Sequence, residues 1–549
     1  MYRHVSDAIW WYLHEVTSRV VADSGIASDK YHIGKILLRC LKDAPDYLLQ
    51  IDGATDERDT FQSALERSVR CATGLRNIGL EYQDVVVVMA PNCIDLCIPI
   101  YAGLFLGIVV AGIDKNLGVS ELRESLEITA PKIIFCENSN AKTVQEALSS
   151  LKFSCHVITF DEKEDHMSFT KFLDKYADEL NIDKFKPADF NPELTKGLLI
   201  PTSGSTGLPK CASLTHANIF NGFPTFMVCN TKFPTPFDMI MVVSPVQWIS
   251  ALLQIVLSPI LRYTRLQTSS PVTPDHFFTL INKYKPEHFI TSPSFMTTLL
   301  KSNEINKCDF SSLKYILIGG SAVPEKLLKK IAKLAPNACM QIAYGLTEAS
   351  GMVSSSVYSP PGSVGVPLKC YEYKLVDLST NEDINEPNVP GELRLKGRGV
   401  IKEYHNNLKM TAAAFDENGW FKTGDIFYRD EYFNFYFVDR FKLLLKYKCY
   451  QVSPLEIERV IISHPGVLDV AVAGIPDEEC GELPVAFVIP IEGHNVTEQE
   501  IKDLVKASLS DPKQLRGGVV FVKEMPTTST SKIDRVKLKQ WANNLKNSE

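Results

Sequence analysis

The sequence predicts an α/β chain: a large N-terminal domain of doubly wound, mostly parallel sheets with a small β barrel at its end, then a small α+β C-terminal domain. Three patterns carry that expectation. Apolar runs of strand length alternate with helix-length stretches over residues 61–343. Over about 362–438 the texture changes to short strands with turn residues every ~8–12 positions. The rest returns to mixed helices and strands, and 549 residues are too many for one core.

Residues 7–22 place Ile9, Trp10, Leu13 and Val16 on one side of a helix. A helical pattern spans 61–77, and 84–89 reads as a buried strand. The run from Leu96 to Ile113 carries no charge and touches the length of a membrane span. Pro99, Gly103, Gly107 and Gly112 instead favour a helix followed by a buried strand. Strands at 133–135 and 156–160 flank a helix at 141–151, and the strand 198–200 gives way to a loop at Pro201. Strands follow at 239–243, 288–291, 315–318 and 340–343, with an apolar helix at 248–261. Two of these strands run straight into Gly319-Gly320 and Tyr344-Gly345, and such ends are where open α/β sheets bind ligands. Short strands at 373–376, 391–395 and 432–438 make the barrel. Helices at 454–461 and 497–508 with strands at 467–472 and 484–491 make the last unit. The domains are therefore expected at 1–440 and 441–549.

Composition is that of a folded chain, 45% hydrophobic and 22% charged. A net charge of −7 gives no electrostatic case for nucleic acid or acidic lipid. Thirteen scattered cysteines without a CxxC pair suit reduced thiols. The first residues lack the basic-then-apolar order of a signal peptide, and the last three, Asn547-Ser548-Glu549, are not a peroxisomal tripeptide. A cytoplasmic protein is the expectation.

The stretch with most chemistry is Pro201-Thr-Ser-Gly-Ser-Thr-Gly-Leu-Pro-Lys210. It offers unhindered backbone N–H groups, hydroxyls and a terminal cation, which is what a polyphosphate needs. Alone, a Ser/Thr/Gly cluster marks only a loop. It is not a Walker motif, since Pro209 precedes Lys210, and no G-x-S-x-G elbow is present. Four further motifs follow in order: Tyr344-Gly-Leu-Thr-Glu348, Phe421-Lys-Thr-Gly-Asp425, Asp439-Arg440 and the 527–535 stretch TTSTSKIDR.

With these five motifs the chain resembles the adenylate-forming superfamily: acyl-CoA synthetases, 4-coumarate-CoA ligases, peptide-synthetase adenylation domains and beetle luciferases. The resemblance covers nearly the whole chain, and it implies ATP, Mg²⁺ and CoA as cofactors and a small-molecule carboxylic acid as partner. Thr202, Ser203, Gly204, Ser205, Thr206, Gly207 and Lys210 would hold the β- and γ-phosphates. Glu348 would reach Mg²⁺, a hard cation suited to a carboxylate and phosphate oxygens. Thr347 would bond the α-phosphate. Tyr344-Gly345 would offer a flat face to adenine, opposite Gly320, Ser321 and Ala322, and Asp425 and Arg440 would hold the ribose. Lys532 would stand between the carboxylate and the α-phosphate. The C-terminal domain would be mobile, turning about Lys442 to bring Lys446 to the site for the second step.

Three positions depart from the family pattern. Cys449 replaces a glycine beside the thiol tunnel, Ser531 precedes Lys532 where glycine is usual, and Trp248 stands at the acid pocket with Gly319 and Gly320. Residues 220–226 and 351–356 are further candidates for its lining. The expected function is ATP-dependent activation of a fatty or aryl acid with transfer to CoA. The alternatives are a luciferase-like oxidation of the acyl-adenylate, or a binding protein that lacks the thioester step.

Overall fold

The five residues Val85–Met89 are buried on both faces of their strand, as only a central strand of a covered parallel sheet requires. They sit in the middle of the first large sheet of the computed structural model. The model describes all residues except 1–6, 27–28, 163–165, 178–181, 204–208, 321–322, 324, 358, 378–379, 441–444, 449, 453, 527–532, 534 and 547–549. Among the described residues this sheet has eight strands, parallel from Lys196–Ser203 through Val109–Gly112, Val85–Met89, Ile133–Cys136 and His156–Thr159 to Met167–Ser168. The strands Pro209–Thr215 and Glu403–Tyr404 add an antiparallel edge. A second sheet of nine strands runs parallel from Leu48–Asp52 through Thr264–Gln267, Met239–Met241, His288–Thr291 and Tyr315–Gly319 to Cys339–Leu346, again with antiparallel edges.

The apolar run that resembled a membrane span is core. Cys97–Leu106 is a helix with every residue buried, and Val109–Gly112 is a buried strand. The Tyr101 hydroxyl donates to the carbonyl of Ile255 (2.8 Å), joining this helix to the apolar helix Ile249–Leu261. Among the described residues, no helix is long and apolar enough to cross a membrane.

The expected barrel region is an antiparallel meander: Glu372–Val376, Gly391–Lys396, Phe421–Arg429 and Phe435–Arg440. The last sheet comprises Leu445–Tyr447, Tyr450–Val452, Val467–Asp477, Gly481–Pro490 and Val519–Phe521, with its own apolar cluster around Ile457, Val472, Val488 and Ile501. The architecture is a large N-terminal domain of mixed α/β sheets followed by a smaller C-terminal one.

Two expected loops differ. The strand through Leu198 continues to Ser203 and pairs with Pro209–Thr215, in register Thr202 to Lys210, so both ends of the glycine-rich stretch are strand. Likewise the strand through Ala343 continues to Leu346, carrying Tyr344 and Gly345 inside it, because Gly351–Ser355 folds back and pairs with it. Gly345 lets the two backbones close up: a Cβ there would lie 2.5 Å from the Gly351 carbonyl oxygen.

Candidate functional site

The site forms where these edges meet the meander. Lys210 leaves the hairpin strand two positions before Ala212, whose neighbour across the sheet is Tyr404. Its ammonium lies 3.2 Å from Glu348 Oε1 and also bonds the Tyr404 hydroxyl. That hydroxyl donates to the same Oε1 at 2.7 Å. Glu348 sits in a single turn, Thr347–Ala349, closed by Ser350 at φ +57°. With 13% of its side chain exposed it is nearly sealed from water. Burial alone would raise its carboxyl, but the Lys210 charge and the Tyr404 hydrogen bond outweigh that and hold it below the usual range.

Next to this cluster the half-buried Tyr344 donates its hydroxyl to Asp425 Oδ2 (2.7 Å), and its ring packs edge-on against Phe427 at 4.7 Å. Asp425 is 4% exposed and lies directly across the meander from Arg440. Gly320 follows its strand with φ +88°, and among the described residues an added Cβ there would meet nothing within 4 Å. Gly319 is tighter, 2.9 Å from the Ala343 carbonyl oxygen. Thr202 pairs with Lys210 and its hydroxyl donates to that residue's carbonyl at 3.5 Å; Thr347 is half-buried one residue from Glu348.

Trp248 precedes the helix Ile249–Leu261 and meets Tyr450 edge-on, ring centroids 5.9 Å apart. Tyr450 belongs to the hairpin that carries Lys446, so this hairpin faces the large domain. The Lys446 backbone N–H donates to Glu482, and its ammonium stands 5.5 Å from the Phe437 ring. Phe437 packs on Phe427, the ring beside Tyr344. The segments expected to line an acid pocket touch one another, with the Met352 N–H donating to Thr225 Oγ1 (3.2 Å).

A second contact joins the domains further out. Lys513 bonds both Glu121 of the large domain and Glu456 of its own domain, the latter at 2.7 Å, and Ser510 donates to Glu121 at 3.2 Å. Burial pushes the Glu456 carboxyl up against the pull of Lys513. Burial also disfavours the charged Lys513, yet its two acidic neighbours hold it above the ordinary lysine value.

The structure thus joins Lys210, beside Thr202, to Glu348 and Tyr404 in one polar cluster and Tyr344 to Asp425 in another, with Gly345 and Thr347 on the segment between them and Lys446 linked to Tyr344 through Phe437 and Phe427. Gly204, Ser205, Thr206, Gly207, Ser321, Ala322, Lys442, Cys449, Ser531 and Lys532 lie outside the described residues, as do the side chains of Ser203 and Arg440. Sequence reasoning missed Tyr404. A lone tyrosine in a two-residue strand carries no spacing signal, and only pairing with the Lys210 strand brings it to Glu348.

The cleft passes a test for a nucleotide with its cation. Asp425 is a buried acceptor for hydroxyls and Lys210 a nearly buried cation for phosphate. Among the described residues no cluster of three or more His, Cys, Asp or Glu could hold a metal ion alone. The lone carboxylate of Glu348 is the hard donor that suits Mg²⁺ shared with phosphate oxygens.

Comparison with known proteins agrees with this chemistry. The family model for AMP-binding enzymes matches residues 39–405, and that for the AMP-binding enzyme C-terminal domain matches 456–532. A luciferin 4-monooxygenase of Photuris pensylvanica is 35% identical over 501 residues, 88% of this chain and 90% of the relative. A 4-coumarate-CoA ligase of Narcissus pseudonarcissus is 28% identical over 506 residues, 89% and 90% of the two chains. Among solved structures, the luciferase-like enzyme from the nonluminescent Zophobas morio mealworm superposes with a TM-score of 0.69 at 28% identity, covering 75% of this chain and 96% of that one.

Proposed function

The chain belongs to the AMP-binding, adenylate-forming enzymes, and from that premise we propose that it is an acid–thiol ligase using ATP, Mg²⁺ and CoA on a fatty or aryl carboxylic acid. The observation that carries this reading is the pair of polar clusters, Lys210–Glu348–Tyr404 and Tyr344–Asp425, whose Tyr344 and Glu348 are set on one strand and the turn that follows it. A carboxylate oxygen attacks the α-phosphorus of ATP; the new O–P bond forms as the α–β bridging bond breaks, and pyrophosphate leaves. No covalent enzyme intermediate is needed, so the protein works by position and charge. Lys210, with the hairpin tip, neutralises the leaving phosphates, and Thr347 holds the α-phosphate. Asp425 and Arg440 hold the ribose while Tyr344 meets the adenine. Glu348 would hold Mg²⁺, which would supply charge to offset that of the phosphates. Lys532 draws the acid toward the α-phosphate. After pyrophosphate departs, the CoA thiolate displaces AMP from the acyl carbon, with the Lys446 hairpin turned to the site; the contact of its Tyr450 with Trp248 supports that role.

ATP–pyrophosphate exchange over a panel of fatty and aryl acids, run with and without CoA, tests this. Acid-dependent exchange with CoA consumption is expected. Exchange without CoA consumption restricts the activity to the adenylate, and no exchange with any acid overturns the reading. The similarity to the Photuris luciferin 4-monooxygenase favours one second reading, oxidation of an acyl-adenylate by O₂. Photon counting with a luciferin and ATP decides it.

A further inference from the structure

In the ATP reading the Lys210 ammonium that bonds Glu348 also meets phosphate, so nucleotide binding competes for the contact that holds this carboxylate. We propose that Tyr404 is the positioning residue that keeps Glu348 in place when this happens. It fixes Oε1 so that the carboxylate meets the cation of the metal–nucleotide through its other oxygen. The proposal rests on the ATP reading above.

Tyr404 is 3% exposed, so its hydroxyl has little access to water as an alternative partner. A phenol has one proton to give and lone pairs to accept with. Here the proton goes to Glu348 Oε1, and a lone pair takes the Lys210 ammonium, which also lies 3.8 Å from the ring centroid. Removal of Lys210 to a phosphate takes away one contact on each partner and leaves the phenol–carboxylate bond intact.

The backbone around Tyr404 is set for that task. Glu403–Tyr404 pairs with Ser213 and Ala212 of the strand that carries Lys210, and His405 N–H donates to the Cys211 carbonyl at 2.8 Å. Tyr404 N–H donates to Thr411 Oγ1 at 2.9 Å. Three residues earlier, Ile401 N–H donates to the carbonyl of Glu348 itself at 2.8 Å. One short segment therefore grips both the backbone and the side chain of Glu348. Both Lys210 and Tyr404 act on Oε1. With one oxygen held by protein, the other would be left for the cation, which would suit Mg²⁺, an ion that takes few protein ligands and keeps several waters.

The test uses the full chain as wild type, Tyr404→Phe, Glu348→Gln and the double variant. Thermal unfolding is followed with ATP in EDTA and with ATP at rising Mg²⁺, beside ATP–pyrophosphate exchange. Tyr404→Phe should unfold near the wild-type temperature without nucleotide and respond equally to metal-free ATP. Its half-saturating Mg²⁺ should rise about tenfold, the scale of a lost hydrogen bond to a charged group, with exchange at saturating Mg²⁺ within about twofold of wild type. In the Glu348→Gln background the same change should have no further effect on Mg²⁺ dependence, because the two residues act as one unit. Equal Mg²⁺ half-points in wild type and Tyr404→Phe overturn the proposal. So does a weaker response to metal-free ATP by the same factor, or an equal effect in both backgrounds; each means a merely structural role. If the wild-type chain itself shows no response to MgATP, the ATP reading falls and this inference with it.

Discussion

The proposed nucleotide side and the proposed acid side hold their side chains by different physics. On the nucleotide side, polar groups are locked by direct hydrogen bonds between sequence-distant elements: Lys210 to Glu348, Tyr404 to Glu348, Tyr344 to Asp425. On the proposed acid side the contact between domains is aromatic, Trp248 against Tyr450, while the 220–227 segment packs on 351–355 and is pinned there by one neutral hydrogen bond, Met352 N–H to Thr225 Oγ1. Charge-assisted hydrogen bonds demand particular atoms at particular distances, so a nucleotide cradle admits little change. An apolar wall demands only volume and shape, and admits many sequences. One fold can therefore keep a single nucleotide chemistry while its acid varies.

The sharpest break should come at Lys532, the residue that the proposed reaction sets between the acid and the α-phosphate. Lys532→Ala is expected to lower acid-dependent pyrophosphate exchange about a thousandfold. A charge pair at ~4 Å and an effective dielectric constant of 20 is worth about 4 kcal/mol, and each ~1.4 kcal/mol is tenfold. Stabilisation by MgATP should persist. Near-normal exchange by this variant removes Lys532 from the reaction.

A smaller effect, confined to the nucleotide side, is expected from Asp425→Asn. The amide keeps the shape and one acceptor but loses the charge, and the Tyr344 hydroxyl then donates to a weaker partner. KM for ATP should rise about tenfold to thirtyfold, the scale of one or two charge-assisted hydrogen bonds, with KM for the acid within about twofold. A matching rise in both constants erases the division between the two sides.

Lys513 tests the outer joint between domains. Lys513→Met removes the cation between Glu121 and Glu456 and leaves two largely buried carboxylates without it. An uncompensated buried charge is strongly unfavourable, so the domains should leave this orientation. Because the Lys446 hairpin meets the large domain here through Tyr450, the CoA-dependent step of the proposed reaction should fall about tenfold and pyrophosphate exchange by less than about threefold. Equal loss in both half-reactions means that the contact serves overall stability.

The same contrast explains what could be read from the sequence. Val85–Met89, 239–243 and the helix of 248–261 were legible because burial on known faces imposes a period on residue type. The nucleotide motifs were legible because glycines, hydroxyls and charges cluster where phosphate must be met. The strand ends were misjudged at Pro201 and Tyr344, where antiparallel return strands pair residues that local propensity assigns to turns. Tyr404 and the Glu121–Lys513 contact were invisible. Tyr404 lies 56 residues from Glu348 in the chain, and Lys513 lies 392 from Glu121. No local pattern encodes such a meeting.

The mildest prediction concerns Trp248, proposed to line the acid pocket. Trp248 caps the approach to the apolar helix Ile249–Leu261 and touches the hairpin at Tyr450 with a ring edge, a contact worth about 0.5–1.5 kcal/mol beyond its area. Trp248→Leu keeps the site apolar while removing much of its volume and that contact. On the acid side, longer or bulkier acids should gain about threefold to tenfold in kcat/KM relative to the best wild-type acid, the scale of one or two methylenes in an apolar pocket. On the nucleotide side, KM for ATP should stay within about twofold, because no polar contact to Lys210, Glu348 or Asp425 passes through the indole. Competition between two acids of different length in one exchange assay reads the ratio directly. An unchanged ratio takes Trp248 out of the acid pocket. A changed ATP constant shows instead that the aromatic wall and the hydrogen-bonded cradle are coupled through Phe437 and Phe427, the rings that connect the Lys446 hairpin to Tyr344.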